Sequence, residues 1–206
     1  MKNFVLTGLA GAMLTLSASA MAANFEEGKD YTVVANPVKI TAPKNKMEVR
    51  EFFWYGCGHC FSLEPHMQKW LRQLPKDVNF VRTPAAMNPV WEMSARGYYT
   101  SEALGVRKYS HLPLFHAIHD KGQEIFDQNA QAKFFVKYGI SEAKFNSTFN
   151  SFPITAKISE ANKLARSYQL TGVPAVVVNG KYVVQGDDGK VIQVVNYLLE
   201  KERKAK

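Results

Sequence analysis

The chemistry of this chain is concentrated in its only two cysteines, Cys57 and Cys60, which stand three residues apart in Gly56-Cys57-Gly58-His59-Cys60. An apolar, aromatic run from Val49 to Tyr55 precedes them and reads as a strand. Phe61 to Leu74 follows, with Met67, Trp70, Leu71 and Leu74 at helical spacing. The pair therefore sits where a strand ends and a helix begins. The first backbone N–H groups of a helix lack intrahelical partners, and the helix dipole adds partial positive charge there. A thiolate in that place is stabilised, and the thiolate is the nucleophilic form of cysteine. Two thiols spaced C-x-x-C on a first helical turn can also close into a disulfide. The residues point to dithiol/disulfide exchange.

Two other readings stand beside it. A structural disulfide stabilises by closing loops of the unfolded chain, more so for longer loops. Here the loop is about as short as it can be, so that role is poorly motivated. C-x-x-C also supplies half of a zinc site, for which His116 and His119 are the available complement. Their distance along the chain is far longer than in the usual zinc modules, and no second C-x-x-C exists. Those histidines read as a partly exposed helix face. No metal and no cofactor is expected.

The elements that must hold the pair follow from pattern. Tyr31 to Val34 is a short strand candidate, and Val49 to Trp54 the next, apolar on both alternations like a central strand covered on both faces. Glu51 breaks that pattern, and a buried carboxylate is costly unless it is paired or used. Pro65 predicts a kink in the helix after the cysteines, and Pro75 its end. Val78 to Arg82 reads as the following strand. Strand, helix, strand at this spacing is a βαβ unit with parallel strands. From Val90 to about Asn150 strand signals vanish, and aromatic residues at helical spacing predict a small helical core. A longer helix is predicted over Ile154 to Tyr168. Ala175–Val178 and Lys181–Val184 flank Asn179-Gly180, a type I′ hairpin signal, and a terminal amphipathic helix runs from Val191 to Lys201. The fold class is α/β, with a helical block inserted into one sheet domain. The expected divisions are a signal peptide at 1–22, a first sheet part at 23–88, the helical insertion at 89–151, and a connecting helix with the second sheet part at 152–206.

The start of the chain reads as an export signal: Lys2, an apolar core from Phe4 to Leu16, and an Ala20-Met21-Ala22 cleavage site. The core is too short to span a membrane. An exported C-x-x-C pair meets an oxidising milieu, and a periplasmic location fits best. The formal net charge is +8, falling to +7 without Lys2. That favours solubility and approach to anionic membranes or acidic partners. No basic run interleaved with aromatics marks a nucleic-acid surface, and a monomer is expected.

Two segments, Phe53-Trp-Tyr-Gly-Cys-Gly-His-Cys60 and Thr171-Gly-Val-Pro-Ala-Val-Val-Val-Asn-Gly180, resemble the hallmark segments of the DsbA family, thiol:disulfide oxidoreductases of the thioredoxin superfamily. The likeness runs from about Phe25 to Glu200. It implies a thioredoxin fold with an inserted helical domain. It also implies donation of a disulfide to reduced, newly exported proteins, and recharging by a DsbB-like inner-membrane quinone reductase. By the same resemblance Cys57 is the exposed nucleophile and Cys60 its buried partner. His59 matches the family's intervening histidine, and Val173-Pro174 the substrate-binding segment with a cis proline. Glu51 matches a buried acid beneath the site, and Glu64 an acid in the active-site helix. The chain departs from the best-known members at Gly58, where they carry proline; C-G-H-C is also the motif of protein disulfide isomerase. The family's buried lysine has no clear match, because Pro75 stands about where it would fall, with Lys76 adjacent. A reductase or isomerase of the same fold, and a non-catalytic peptide-binding module, are the competing readings; export and the intact C-x-x-C favour the oxidase.

Overall fold

The computed structural model describes residues 24–205. The predicted signal peptide at 1–22 lies outside the described residues. Five strands form one sheet: β1 (Thr32–Val33), β2 (Met47–Phe53), β3 (Val78–Pro84), β4 (Ala175–Val178) and β5 (Tyr182–Gln185), in the spatial order β1-β5-β4-β2-β3. β2 and β3 are parallel, as a right-handed βαβ crossover requires, and every other pairing is antiparallel. β2 is wholly buried because it lies between β4 and β3 and is covered on both faces.

The period of two along β2 sorts its side chains. Met47 and Val49 face α1 (Gly58–Leu71) and α7 (Gly189–Lys204), packing with Leu63, Met67, Val195 and Leu198. Phe52 faces the other way, toward Ala165 of α6 (Phe152–Ser167) and Tyr168 just beyond it. On this second face the charged Arg50 is fully partnered. Its Nε donates to Glu48 Oε1 at 2.9 Å and its Nη atoms to Thr83 Oγ1 and Thr41 Oγ1 at 2.7 and 2.9 Å. Glu51 has the parity of Met47 and Val49, which directs it under α1.

Between β3 and α6 run α2 (Pro89–Ala103), α3 (Arg107–His119), α4 (Gln128–Val136) and α5 (Glu142–Phe149). Their starts follow ordinary capping chemistry: Asn88, Asp127 and Ser141 accept from the backbone N–H three residues on. Their aromatic core is continuous with the residues around the cysteines, since Phe53, Tyr55 and Cys60 pack with Tyr98, Phe115 and Phe135 in one cluster. The β4–β5 hairpin turns at Asn179 and Gly180, both at positive φ, as a type I′ turn needs. α1 stays helical across Pro65 and ends at Leu71, short of Pro75, because the chain already turns at 72–77 to enter β3.

Candidate active site

The loop from β2 into α1 is fixed before it reaches the cysteines. Trp54 stacks on Trp91 of α2 at 5.0 Å and 18°. A side chain at Gly56 would collide with the Trp54 ring, so glycine is needed for this turn. The Tyr55 carbonyl accepts from Nε2 of His119 at 2.8 Å, and the Tyr55 hydroxyl lies 2.8 Å from Nδ1 of His111. Both histidines belong to α3. The ring of His119 also stacks on Phe61 at 4.8 Å. His116 pairs with Asp120 at 2.6 Å. The structure thus directs the two histidines considered as zinc ligands to other partners. Among the described residues no cluster of three or more His, Cys, Asp or Glu is placed to hold a metal ion.

Cys57 is the N-cap of α1, with extended backbone, and its sulfur accepts from the Cys60 N–H at 3.4 Å. Both cysteines are free thiols; Cys57 is half-buried and Cys60 has no exposed surface. The Cys57 thiol is drawn down to about 6. The main cause is a hydrogen bond from the Cys60 thiol; burial opposes it, and the N–H groups of Cys60 and His59 and the charge of His59 add to it. The Cys60 thiol is pushed far upward by burial, by the hydrogen bond it gives to Cys57, and by the negative charges of Cys57 and Glu51. One sulfur is therefore a thiolate near neutral pH and its neighbour a thiol. Val173-Pro174 lies against them: the peptide bond is cis, and the Cys57 sulfur is 3.5 Å from the Val173 carbonyl oxygen.

Beneath Cys60 the register of the parallel pair brings Arg82 of β3 opposite Glu51 of β2. Arg82 Nε donates to Glu51 Oε2 at 2.8 Å, and its Nη2 to Glu64 Oε1 at 2.8 Å. Glu64 stands four residues after Cys60 and so on the same face of α1. The family's buried lysine has no clear match in the sequence, and in the structure the cation between these two carboxylates is Arg82 of β3. One buried cation serves two buried carboxylates, and they respond differently. Burial, opposed by Arg82 and reinforced by the charge of Glu64, raises Glu51 to about 7. Burial also pushes Glu64 upward, but the nearby His111 ring, the charge of Arg82 and the hydrogen bond from Gln68 hold it below its ordinary value. His111 is lowered to about 4, mainly by burial. Its Nε2 lies 3.4 Å from Glu64 Oε1, outside good hydrogen-bond geometry, and no other partner completes it. The contact is weak, and His111 is neutral near pH 7.

At the surface His59 Nδ1 donates to Asp187 Oδ2 at 2.6 Å, from α1 to the loop after β5. That contact, the charge of Asp187 and the charge of Cys57 raise the His59 ring above its usual value.

Of the residues expected at the site, Cys57, His59, Cys60, Val173 and Pro174 surround the sulfurs, and Glu51 lies under them. Arg82, Asp187, Tyr55 and His111 were not foreseen. Arg82 was read only as the last residue of the strand after the active-site helix. Asp187 lies just before the terminal helix, and nothing in the sequence marked it.

This geometry was compared with known proteins. The DSBA-like thioredoxin domain matches residues 92–195, which begin after both cysteines. The thiol:disulfide interchange protein DsbA of Pseudomonas aeruginosa is 38% identical over 209 residues, covering 100% of this chain and 99% of that protein. The chain belongs to the DsbA family. The DsbA of Azotobacter vinelandii is 37% identical over 94% of this chain and 92% of its own length. The crystal structure of Pseudomonas aeruginosa DsbA superposes with a TM-score of 0.82 at 40% identity, covering 88% of this chain and 96% of that one. DsbA from Xylella fastidiosa gives 0.80 at 34% identity over 87% and 98%. The fold is the DsbA-like thioredoxin fold, and the enzymatic activity is that of a thiol:disulfide oxidoreductase.

Proposed function

We propose that this DsbA-family protein acts as an exported oxidase, which donates the Cys57–Cys60 disulfide to reduced proteins in the periplasm and is recharged by a DsbB-like membrane quinone reductase. A substrate thiolate attacks the Cys57 sulfur and expels the Cys60 sulfur, which takes up a proton. A second substrate thiolate then attacks the substrate sulfur of the mixed disulfide, and Cys57 leaves as a thiolate. The observation that carries this direction is the depressed Cys57 thiol at the α1 N-terminus. A leaving thiol of low pKa leaves faster and stabilises the reduced enzyme, which makes the disulfide form the stronger oxidant. In the return half-reaction Cys60 must lose its proton. Glu51, buried and raised to about 7, is suited to accept it near neutral pH. The cis Val173-Pro174 segment beside the sulfur is the place for substrate backbone.

The test has two parts. The equilibrium of the Cys57–Cys60 pair with glutathione should lie strongly toward reduced enzyme, and the oxidised protein should oxidise a dithiol peptide catalytically when a quinone-linked DsbB is supplied. A pair that stays oxidised in the glutathione equilibrium would instead support the reductase or isomerase reading that Gly58 suggests.

A further inference from the structure

The loop between β5 and α7 carries two adjacent aspartates with separate tasks. Asp188 is the N-cap of α7, its Oδ1 accepting from the Lys190 N–H at 2.8 Å. Capping is thereby satisfied without Asp187. Asp187 reaches instead across to α1 and meets His59 Nδ1 at 2.6 Å, joining residues 128 apart in sequence. The other charges of the loop are occupied elsewhere: Lys190 pairs with Asp30 at 2.6 Å. His66, one face of α1 further down, packs where Gly189 leaves room for its ring. The ionisable groups that act on His59 are Cys57 from the start of its own helix and Asp187 from the loop.

A carboxylate on Nδ1 has two consequences. It selects the neutral tautomer that carries its proton on Nδ1, leaving Nε2 as the free nitrogen. It also favours the doubly protonated ring, which is then a cation beside the Cys57 sulfur. We propose that Asp187 is a positioning residue of the redox site, fixing the His59 ring through Nδ1 and supplying the counter-charge for its cationic form beside Cys57. The pH range in which His59 supports the thiolate is then set by a residue outside the C-x-x-C motif. Asp187 is itself negative, so its direct field on Cys57 opposes its action through His59. The signature is for that reason a change in pH dependence and not a uniform loss of activity.

The inference rests on Cys57 being the nucleophile, so the two are read separately. In the full-length reduced protein, Asp187→Asn should lower the His59 titration midpoint, seen by NMR of the ring. Its neutral ring should return to the Nε2–H form. Asp187→Glu should restore both in part. Asp188→Asn removes the α7 cap and should leave His59 unmoved. In parallel, the glutathione equilibrium of Asp187→Asn relative to the parent should change between pH 6 and pH 8. An unchanged His59 midpoint and tautomer in Asp187→Asn overturns the positioning role. A shifted His59 with a pH-independent equilibrium ratio overturns its link to Cys57. Loss of disulfide exchange in the parent protein would be a failure of the site assignment, and NMR of His59 would still report on Asp187.

Discussion

Two carboxylate–cation contacts flank the sulfurs, one in water above Cys57 and one in the core below Cys60. Above, His59 and Asp187 are 76% and 41% exposed. Below, Arg82, Glu51 and Glu64 are 6%, 1% and 2% exposed. The same pairing chemistry has different consequences because the surroundings differ. In water the attraction is screened and contributes little to holding the fold together. It can still decide where a proton resides. In the core, each charge has lost its hydration and depends on its neighbours, so removing one partner strands the others. The upper contact is free to act on reactivity, whereas the lower one is first a condition of folding.

The largest test of that contrast is Arg82→Met. It leaves Glu51 and Glu64 buried without their cation and should destabilise the protein by about 3–5 kcal/mol in denaturant melts. Asp187→Asn in the same melts should be close to the parent. Equal losses in both variants would erase the distinction.

A second test uses Glu51 itself. A carboxyl raised in the folded state stabilises the fold when protonated, and that stability is lost as pH rises from the unfolded value through the folded one. With Glu51 at about 7 in the fold, this loss falls between about pH 4.5 and 7. Glu51→Gln keeps the shape without the charge and should flatten that part of the stability profile. It should also slow reoxidation of the reduced enzyme near neutral pH. A profile as steep as the parent's would locate the titrating carboxyl elsewhere.

The sulfurs give a third comparison. The Cys57 thiol is depressed in the folded reduced state to about 6. A depressed acid contributes stability that is present in full above the unfolded value, about 8.5–9, and is lost as pH falls through the folded one. Reduced protein should therefore outlast oxidised protein in urea by about 1–2 kcal/mol at pH 8, a figure already discounted for the half-exposed sulfur. The gap should close by pH 5. Oxidised protein that resists urea better at pH 8 would point to a structural disulfide.

The smallest effect concerns His59→Ala. Loss of its charge should raise the Cys57 thiol and weaken the oxidant by about 30 mV for each pKa unit while the thiol still titrates below the working pH. Thiolate absorbance and the glutathione equilibrium measure it directly. If both stay unchanged, the hydrogen bonds from Cys60 and the helix N–H groups suffice for Cys57.

What the sequence disclosed follows the range over which each interaction acts. The β2–α1–β3 unit, the Asn179-Gly180 turn and the capped helices of the insertion are built from neighbours along the chain, and they were legible. So was Cys57 at a helix start, because strand and helix patterns meet there. Arg82 was read only as the end of a strand; its role depends on the register that sets it against Glu51. Asp187 was hidden further still, since no local pattern ties the β5–α7 loop to the first turn of α1. His116 and His119 read as a partly exposed helix face, and helical spacing does not say that α3 also lies against the active-site loop, where His111 and His119 meet Tyr55.

The grip on Tyr55 has a mechanical consequence. Its carbonyl is tied to His119, its ring oxygen to His111, and the preceding indole is braced by Trp91. All three ties come from the helical insertion, so the insertion works as a buttress against one shoulder of the redox loop. A polypeptide pulled while joined to Cys57 loads that shoulder through α2 and α3 together. On the other side of the sulfurs the Val173 carbonyl meets the Cys57 sulfur and Asp187 meets the His59 ring.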